Sequence, residues 1–402
     1  MEARVGGWWV GVGVMLGVAG GPAMGQVDPY ERNLLQLGYD QPTGRQGPQG
    51  LYAYYYYNDP VLLGANTALR LAIAPVYVDG EIGFRQLLSH TTDVGLGFYG
   101  GAYGDNYYEV RQGNYRRSES FFGHGGGLSS SLYQLLNPGM VIPLNAVARG
   151  GFRYSTFART SDTSDDFELP DGRPMPFARA GLRLGGKQPL LYPDLGVEVS
   201  AWVERQWRLN DGAYGFDHDR TMNERSDLYW AYGGLDYSWT NVGHKASLAA
   251  TAGGSADTDR FSAWRLGGVL PLVAEFPLIL PGYFYQELTA KKFVHLHASY
   301  LFPLDPEERF KFRIEGASAL VDYLAGFEQT SPWQTGVGCG VSYTSKRKFC
   351  RVVLRYGYGF NAIRDHGREG GHSIGVLFQY DFQRYINRRR EASGDTENEA
   401  RR

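Results

Sequence analysis

Long stretches of this chain alternate strictly between apolar residues and polar or small ones. Near the C-terminus, His372, Ile374, Val376, Phe378, Tyr380 and Phe382 alternate with Ser373, Gly375, Leu377, Gln379 and Asp381. Cys350, Val352, Leu354, Tyr356, Tyr358 and Phe360 do the same against Arg351, Val353, Arg355, Gly357, Gly359 and Asn361. Period two sustained over so many residues defines strands, because successive side chains of a strand point to opposite faces. The pattern recurs over 67–79, 81–89, 93–103, 120–134, 144–157, 177–186, 195–208, 226–240, 243–255, 259–267, 293–303, 309–322 and 332–345. Within 226–240 the apolar phase changes from Leu228, Trp230 and Tyr232 to Leu235, Tyr237 and Trp239, which predicts a bulge at Gly233-Gly234.

Such strands are longer than the about 5–6 residues usual in soluble proteins. They match the about 9–11 residues of a tilted strand that crosses a bilayer. With no water in the hydrocarbon layer every backbone group must be paired, so the strands must close on themselves, with apolar side chains toward lipid and polar or small ones toward the lumen. The reading is an all-β fold, a transmembrane antiparallel β-barrel of about 16 strands. Counting from 67–79 and adding a short strand near 271–280 reaches that number; starting at 51–58 without 271–280 reaches it too. Tyr229, Trp230, Tyr237, Trp239, Tyr356 and Tyr358 would form interfacial girdles. A soluble secreted sandwich or propeller is the competing reading, opposed by the strand lengths and by the lack of a propeller period.

Composition removes other classes. The 402 residues include 55 Gly and 29 Tyr, and Gly shows no collagen period. Two Cys rule out a disulfide-stapled scaffold and most cysteine zinc sites. A net charge of −2 argues against nucleic acid as a partner. Nothing in the sequence calls for a cofactor.

Residues 1–25 have the build of a secretory signal peptide: Arg4, an apolar run from Val5, then Pro22, Ala23 and Gly25, with cleavage expected before Gln26. Residues 26–66 are expected to be a periplasmic segment, with a strand at 51–58 as the alternative start; 67–382 is the outer-membrane barrel, and 383–402 a polar periplasmic tail with no apolar face. The connections at 104–119, 158–173 and 209–225 are long and polar, whereas 135–140, 187–192 and 241–243 are short. Bacterial barrels keep the short turns inside and the long loops outside, so the chain is expected in the outer membrane of a Gram-negative-type bacterium.

The alternation places Arg149, Arg153, Arg179, Arg183, Lys245, Lys311, Arg313, Arg351 and Arg355 in the lumen against Glu198, Glu204, Glu315 and Asp381. Buried charge is tolerated only when paired or wet, so the lumen holds water or an ion-pair network. A cationic pore or client-binding surface is one reading; charges that merely brace the wall are the simpler one. His295 and His297 share a face with Ser299 but lack a third ligand nearby, a weak metal or catalytic signal. His124-Gly125-Gly126-Gly127 is like an esterase oxyanion loop, but no G-x-S-x-G follows, and a bend explains it better. Cys339 and Cys350 both face lipid. A turn at Ser345-Lys346-Arg347-Lys348 keeps them from direct opposition, so they are expected as two buried thiols.

Residues 261–304 carry a family likeness. The stretch Phe261 to Gly268 with Trp264 and Arg265, then Leu280-Pro281-Gly282-Tyr283 with Glu287, then a strand ending Tyr300-Leu301-Phe302-Pro303-Leu304, resembles the hallmark region of the BamA-like superfamily of outer-membrane pores. The resemblance implies a long loop near 270–291 folded into the lumen, followed by five strands, and a last strand whose Tyr380 and Phe382 are read by the barrel assembly machinery. Three departures stand out. Pro281 occupies the position of the family's tip Arg, so the usual Arg-to-acid clamp cannot form as such. No polypeptide-transport domains and no patatin-type passenger are expected before the barrel. The expectation is a barrel-only pore in protein or lipid transport or assembly, in contact with outer-membrane lipid and with a possible secreted or membrane client protein. Its rivals are a diffusion porin with a mildly cationic lumen and a membrane-embedded lipid hydrolase.

Overall fold

The structure, a computed structural model, describes residues 30–43, 47–186, 188–210, 212–272, 276–364 and 367–393. The expected signal peptide lies outside the described residues.

Sixteen strands form a closed antiparallel barrel. The first eight are β1 (Arg32–Thr43), β2 (Gly50–Asp59), β3 (Thr67–Ala74), β4 (Tyr77–Ser89), β5 (Thr92–Tyr107), β6 (Phe121–Leu135), β7 (Leu144–Arg159) and β8 (Arg173–Gly186). The second eight are β9 (Leu195–Trp207), β10 (Arg225–Trp239), β11 (His244–Ala256), β12 (Leu288–Pro303), β13 (Phe310–Tyr323), β14 (Trp333–Thr344), β15 (Cys350–Ile363) and β16 (Glu369–Asp381). Each strand pairs with its sequence neighbour, and β1 closes the ring on β16 in unbroken register from Leu34↔Asp381 to Thr43↔His372. Helix α1 (Phe382–Ser393) follows β16 at the rim where β1 begins, here called the terminal rim.

The strand number is as expected, but its make-up is not. The barrel starts at Arg32, not at residue 67, because Leu35, Leu37 and Tyr39 on the outside alternate with Gln36, Gly38 and Asp40 on the inside. Both 51–58 and this earlier segment are wall strands. By contrast 259–267 and 271–280 are not: among their described residues only Trp264–Leu266 pairs with the wall, against the start of β12, and the rest belongs to the inward loop. The bulge at Gly233-Gly234 is absent. β10 keeps continuous register with β9 and with β11, and Leu228, Trp230 and Tyr232 point inward. The phase change therefore records a change in what the lumen contains at that level rather than a break in the strand. Trp230 is accordingly not a girdle residue, whereas Tyr229, Tyr237, Trp239 and Tyr356 are exposed on the outer face.

Large apolar side chains such as Leu182, Val199, Leu248, Leu296, Ile314 and Ile374 stand exposed around the outer wall. In a soluble protein such a surface would be a liability; as a continuous belt on a closed barrel it is the face that meets hydrocarbon. No helix among the described residues is long and apolar enough to cross a membrane. Cys339 and Cys350 are free. Their strands pair Cys339 with Tyr356 and Thr344 with Arg351, so the thiols are far out of register.

Candidate functional site

Among the described residues, two segments occupy the lumen. The larger lies between β11 and β12. Its described residues, 257–272 and 276–287, leave the wall at Ala256 and return at Leu288. Trp264, Leu266, Leu278, Leu280 and Tyr283 are buried against inward Leu228, Trp230, Phe293, Ala319 and Val321 of the wall. Burying one such Leu or aromatic side chain stabilises by about 1.5–3 kcal/mol, so several together seat the loop more firmly than any single polar contact.

The tip, Leu280-Pro281-Gly282-Tyr283, docks on the last three strands. Gly282 has φ +84°, and a Cβ there would meet backbone atoms of Tyr358, Gly359 and Gly371. Inward-facing Gly336, Gly357, Gly359 and Gly371 make a floor without side chains, on which Pro281 and Tyr283 lie directly. Tyr283 Oη donates to Gln334 Oε1 (2.9 Å). Glu287, fully buried, takes two guanidinium contacts from Arg364 at the end of β15, Nη1–Oε1 2.8 Å and Nη2–Oε2 3.1 Å. Arg364 also donates to Gly282 O (3.0 Å), and its guanidinium lies 3.7 Å above the Phe284 ring. The tip residue Pro281 indeed offers no guanidinium. Instead the charges are exchanged: the acid is on the loop and the Arg on the wall. Arg364 was not among the residues the sequence singled out, because it follows the last alternating position of its strand and shows no local pattern.

His295 supports the same loop. Its Nε2 lies 2.8 Å from Ile279 O, and His297 Nε2 lies 3.2 Å from Glu315 Oε2. Both imidazoles are thus engaged in holding lumen structure. Among the described residues no group of three His, Cys, Asp or Glu side chains could hold a metal ion.

The smaller plug is the turn between β8 and β9, which enters from the terminal rim. Pro189 O accepts from Gln36 Nε2 of β1 (2.9 Å), and Leu191 N donates to Gln379 Oε1 of β16 (3.1 Å). Gln36 and Gln379 are also bonded to each other (3.2 Å). The turn therefore spans the seam between first and last strands from inside. Leu191 packs with Tyr52, Tyr54, Leu270 and Leu377, where the two plugs meet. A cavity of about 160 Å³ remains between them, bordered by Tyr232, Phe276, His295, His297 and Arg313.

The lumen charges are paired rather than gathered into a cationic eyelet. Arg149 meets Glu81 (2.8 Å), Arg179 and Arg153 share Glu204 (2.6 and 3.8 Å), and Arg183 meets Glu198 (2.9 Å). Arg313 and Arg355 share Glu315 (2.9 and 3.1 Å), Lys311 meets Glu308 (2.9 Å), and Lys245 meets Asp194. Arg351 lies over the Tyr192 ring, 5.3 Å from its centroid. The expected basic excess is offset in part by Asp40 and Glu81 of β1 and β4 and by the turn acids Asp194 and Glu308, none of which the alternation marks as inward; Asp79 is matched by Arg70, inward as well, at 2.7 Å. Asp381 is not a lumen acid. It sits at the rim and accepts the Arg384 N–H at the start of α1 (2.9 Å).

The opposite, distal rim is roofed by its loops. Tyr107, Phe121, Phe167, Tyr214, Met222 and Phe261 form one buried cluster there. Glu109 sits above it and accepts from Arg260 (2.8 Å) and Arg111 (2.8 Å), with Arg220 at 3.5 Å. Burial alone would raise the Glu109 carboxyl, but the guanidinium groups of Arg260, Arg220 and Arg111 outweigh it and hold the group below the usual carboxylate range. Arg260 and Arg265 both donate to Tyr108 O (2.7 and 3.1 Å), which ties this roof to the lumen loop.

A closed sixteen-strand barrel, lipid-facing apolar belt outside and inserted loop within, is an outer-membrane β-barrel whose last five strands follow the inserted loop. Its fold is BamA-like. CdiB from Acinetobacter baumannii is similar over 88% of this chain and 60% of its own, with 12% identity and a TM-score of 0.54. CdiB from Escherichia coli gives 12% identity, 88% and 63% coverage and a TM-score of 0.52. BamA from Haemophilus ducreyi lacking POTRA domains 1–3 gives 10% identity, 88% and 71% coverage and a TM-score of 0.53. The chain thus spans less than two thirds of the length of the two CdiB proteins. No family profile matches the sequence, and no curated protein does.

Proposed function

We propose that this protein is a gated pore of the outer membrane that acts in the transport or assembly of a protein or lipid client, with the lumen loop as its resting plug. The observation that carries the reading is the docking of the 280–283 tip on a side-chain-free floor, combined with the Glu287–Arg364 pair that fastens the loop to the wall. Beyond Trp264–Leu266, which pairs with β12, the loop is held to the wall by side-chain packing and the clamp rather than by strand pairing, so its tip region can leave as a unit. The likeness in fold to CdiB and BamA supports the same reading. The terminal rim, with its short turns, faces the periplasm, and the roofed distal rim faces outward. Biogenesis would pass through the barrel assembly machinery, with Tyr380 on the lipid face of β16 and Phe382 just beyond it as the recognition residues.

A steady diffusion channel finds less support, because the lumen charges are paired and apolar side chains fill the space between them. The hydrolase reading loses its candidates, since both imidazoles are occupied in holding structure. Planar-bilayer recording separates the possibilities. The wild type should show small, fluctuating conductance that rises on deleting residues 270–287. A large steady conductance in the wild type, unchanged by the deletion, would sink the proposal.

A further inference from the structure

Helix α1 and the turn beside it form a surface that the pore does not use. The sequence reads this segment as a solvated tail with no apolar face. In the structure, Phe382, Tyr385 and half-buried Ile386 mark one side of the helix, and that side rests on the wall. Phe382 meets Tyr380 with ring centroids 4.6 Å apart and Tyr55 at 6.2 Å, while Tyr385 meets Phe349 of the β14–β15 turn at 5.9 Å. Tyr55 of β2 and Tyr380 of β16 point outward, so the helix is held against the lipid side of the barrel at the foot of the β1–β16 seam. Aromatic side chains at a barrel rim mark the boundary between membrane and water. Asp381 fixes the start of the helix through the Arg384 N–H, and Arg384 Nη1 donates to Lys348 O (3.3 Å), tying helix to turn.

The other side of this unit is basic. Arg384 and Arg388 of the helix and Lys346, Arg347 and Lys348 of the turn are all exposed, whereas Arg389 lies back over the Tyr385 ring, 5.3 Å from its centroid. Asp381, which caps the helix, also lies 3.8 Å from Arg384 Nε, and the helix itself carries four Arg against one acid, Glu391. Neighbouring acids of the terminal rim are engaged elsewhere: Glu307 with Arg309, Glu308 with Lys311 and Asp194 with Lys245, while Glu31 and Asp59 gather about Tyr57. A basic cluster next to an aromatic anchor at a membrane boundary suits one class of ligand. Guanidinium groups pair with phosphate oxygens in a fork, and a zwitterionic lipid brings its own ammonium to oppose them. Lipopolysaccharide would lie in the other leaflet, at the distal rim.

We infer that this surface binds the headgroup of an anionic phospholipid of the periplasmic leaflet, at the foot of the seam between first and last strands. The inference rests on the orientation proposed above. The test uses the mature full-length chain, delipidated in detergent and offered equal amounts of phosphatidylglycerol and phosphatidylethanolamine, with bound lipid counted by native mass spectrometry. The wild type should retain phosphatidylglycerol over phosphatidylethanolamine by about tenfold or more, as several basic groups acting together at an anionic headgroup imply. A variant carrying K346Q, R347Q, K348Q and R388Q should fall to near parity. Its heat-modifiable gel shift should persist, since all four side chains are exposed. Parity in the wild type, or an undiminished preference in the variant, overturns the inference. Displacement of the lipid by excess inorganic phosphate also overturns it, by assigning the site to a free anion. Failure of the wild type to show any gel shift would instead count against the barrel itself.

Discussion

Glu287 of the lumen loop and Arg364 of the wall form a buried two-point ion pair, and the same guanidinium covers the ring of Phe284 and holds Gly282 O. The pair fastens the loop close to the tip, so a single change at either residue acts directly on how the plug is held.

Removing one partner leaves a buried charge uncompensated, a loss of about 3–5 kcal/mol. Arg364→Ala and Glu287→Ala should therefore each unseat the loop, seen as larger and noisier conductance in planar bilayers and as faster cleavage of residues 270–287 by added protease. The exchanged variant Glu287→Arg with Arg364→Glu should recover part of the wild-type behaviour, because the same two groups face each other with their signs reversed.

Gly282 tests the floor. Alanine there must take a left-handed backbone and place its Cβ against the backbone of Tyr358, Gly359 and Gly371. Strain of about 1–3 kcal/mol is expected from the backbone alone. Gly282→Ala should raise conductance in the same direction as loss of the ion pair. Gly316→Ala, whose Cβ would meet nothing within 4 Å, should leave conductance unchanged.

The seam is closed from inside by the β8–β9 turn. Replacing both Gln36 and Gln379 with Ala strands Pro189 O and Leu191 N in a mostly buried place, at about 1–3 kcal/mol for each group left unsatisfied. The double variant should lose its heat-modifiable gel shift at a lower temperature and expose residues 188–193 to protease. Unaltered melting would show that the turn does not staple the strands.

The distal roof should resist mild acid. The Glu109 carboxyl is held below its ordinary value of 4.5, so its pairing contributes fully above that pH and is lost only as pH falls through the lower folded value. Protease sensitivity of loops 108–120 and 208–224 should stay flat from about pH 8 to pH 5 and rise only in stronger acid. Glu109→Gln should make them sensitive at neutral pH.

Much of this was legible from single residues. Ile374, Val376 and Phe378 lie on the outer face as their alternation with Gly375 and Leu377 requires, because a strand can satisfy only one pleat. The inward loop was legible too, through Trp264, Arg265 and the Leu280–Tyr283 tip. The first strand is not legible because Leu35, Leu37 and Tyr39 make a short signal next to an expected tail. The Gly233-Gly234 bulge is absent for a different reason: polarity alone places Trp230 and Tyr232 toward lipid, whereas their inward position follows from an apolar plug that lies far away in sequence.

The order of residues alone requires long two-faced strands, and the pairing demands of a bilayer then leave only a closed barrel. Strand period is a local property, carried by residues i and i+2. Which charges meet, which glycines form a floor, which Arg faces Glu287 and which side of α1 rests on the wall were decided only by tertiary structure. Those contacts join residues separated by tens to hundreds of positions, and neither partner carries a mark of the other until the ring closes and the loop folds in.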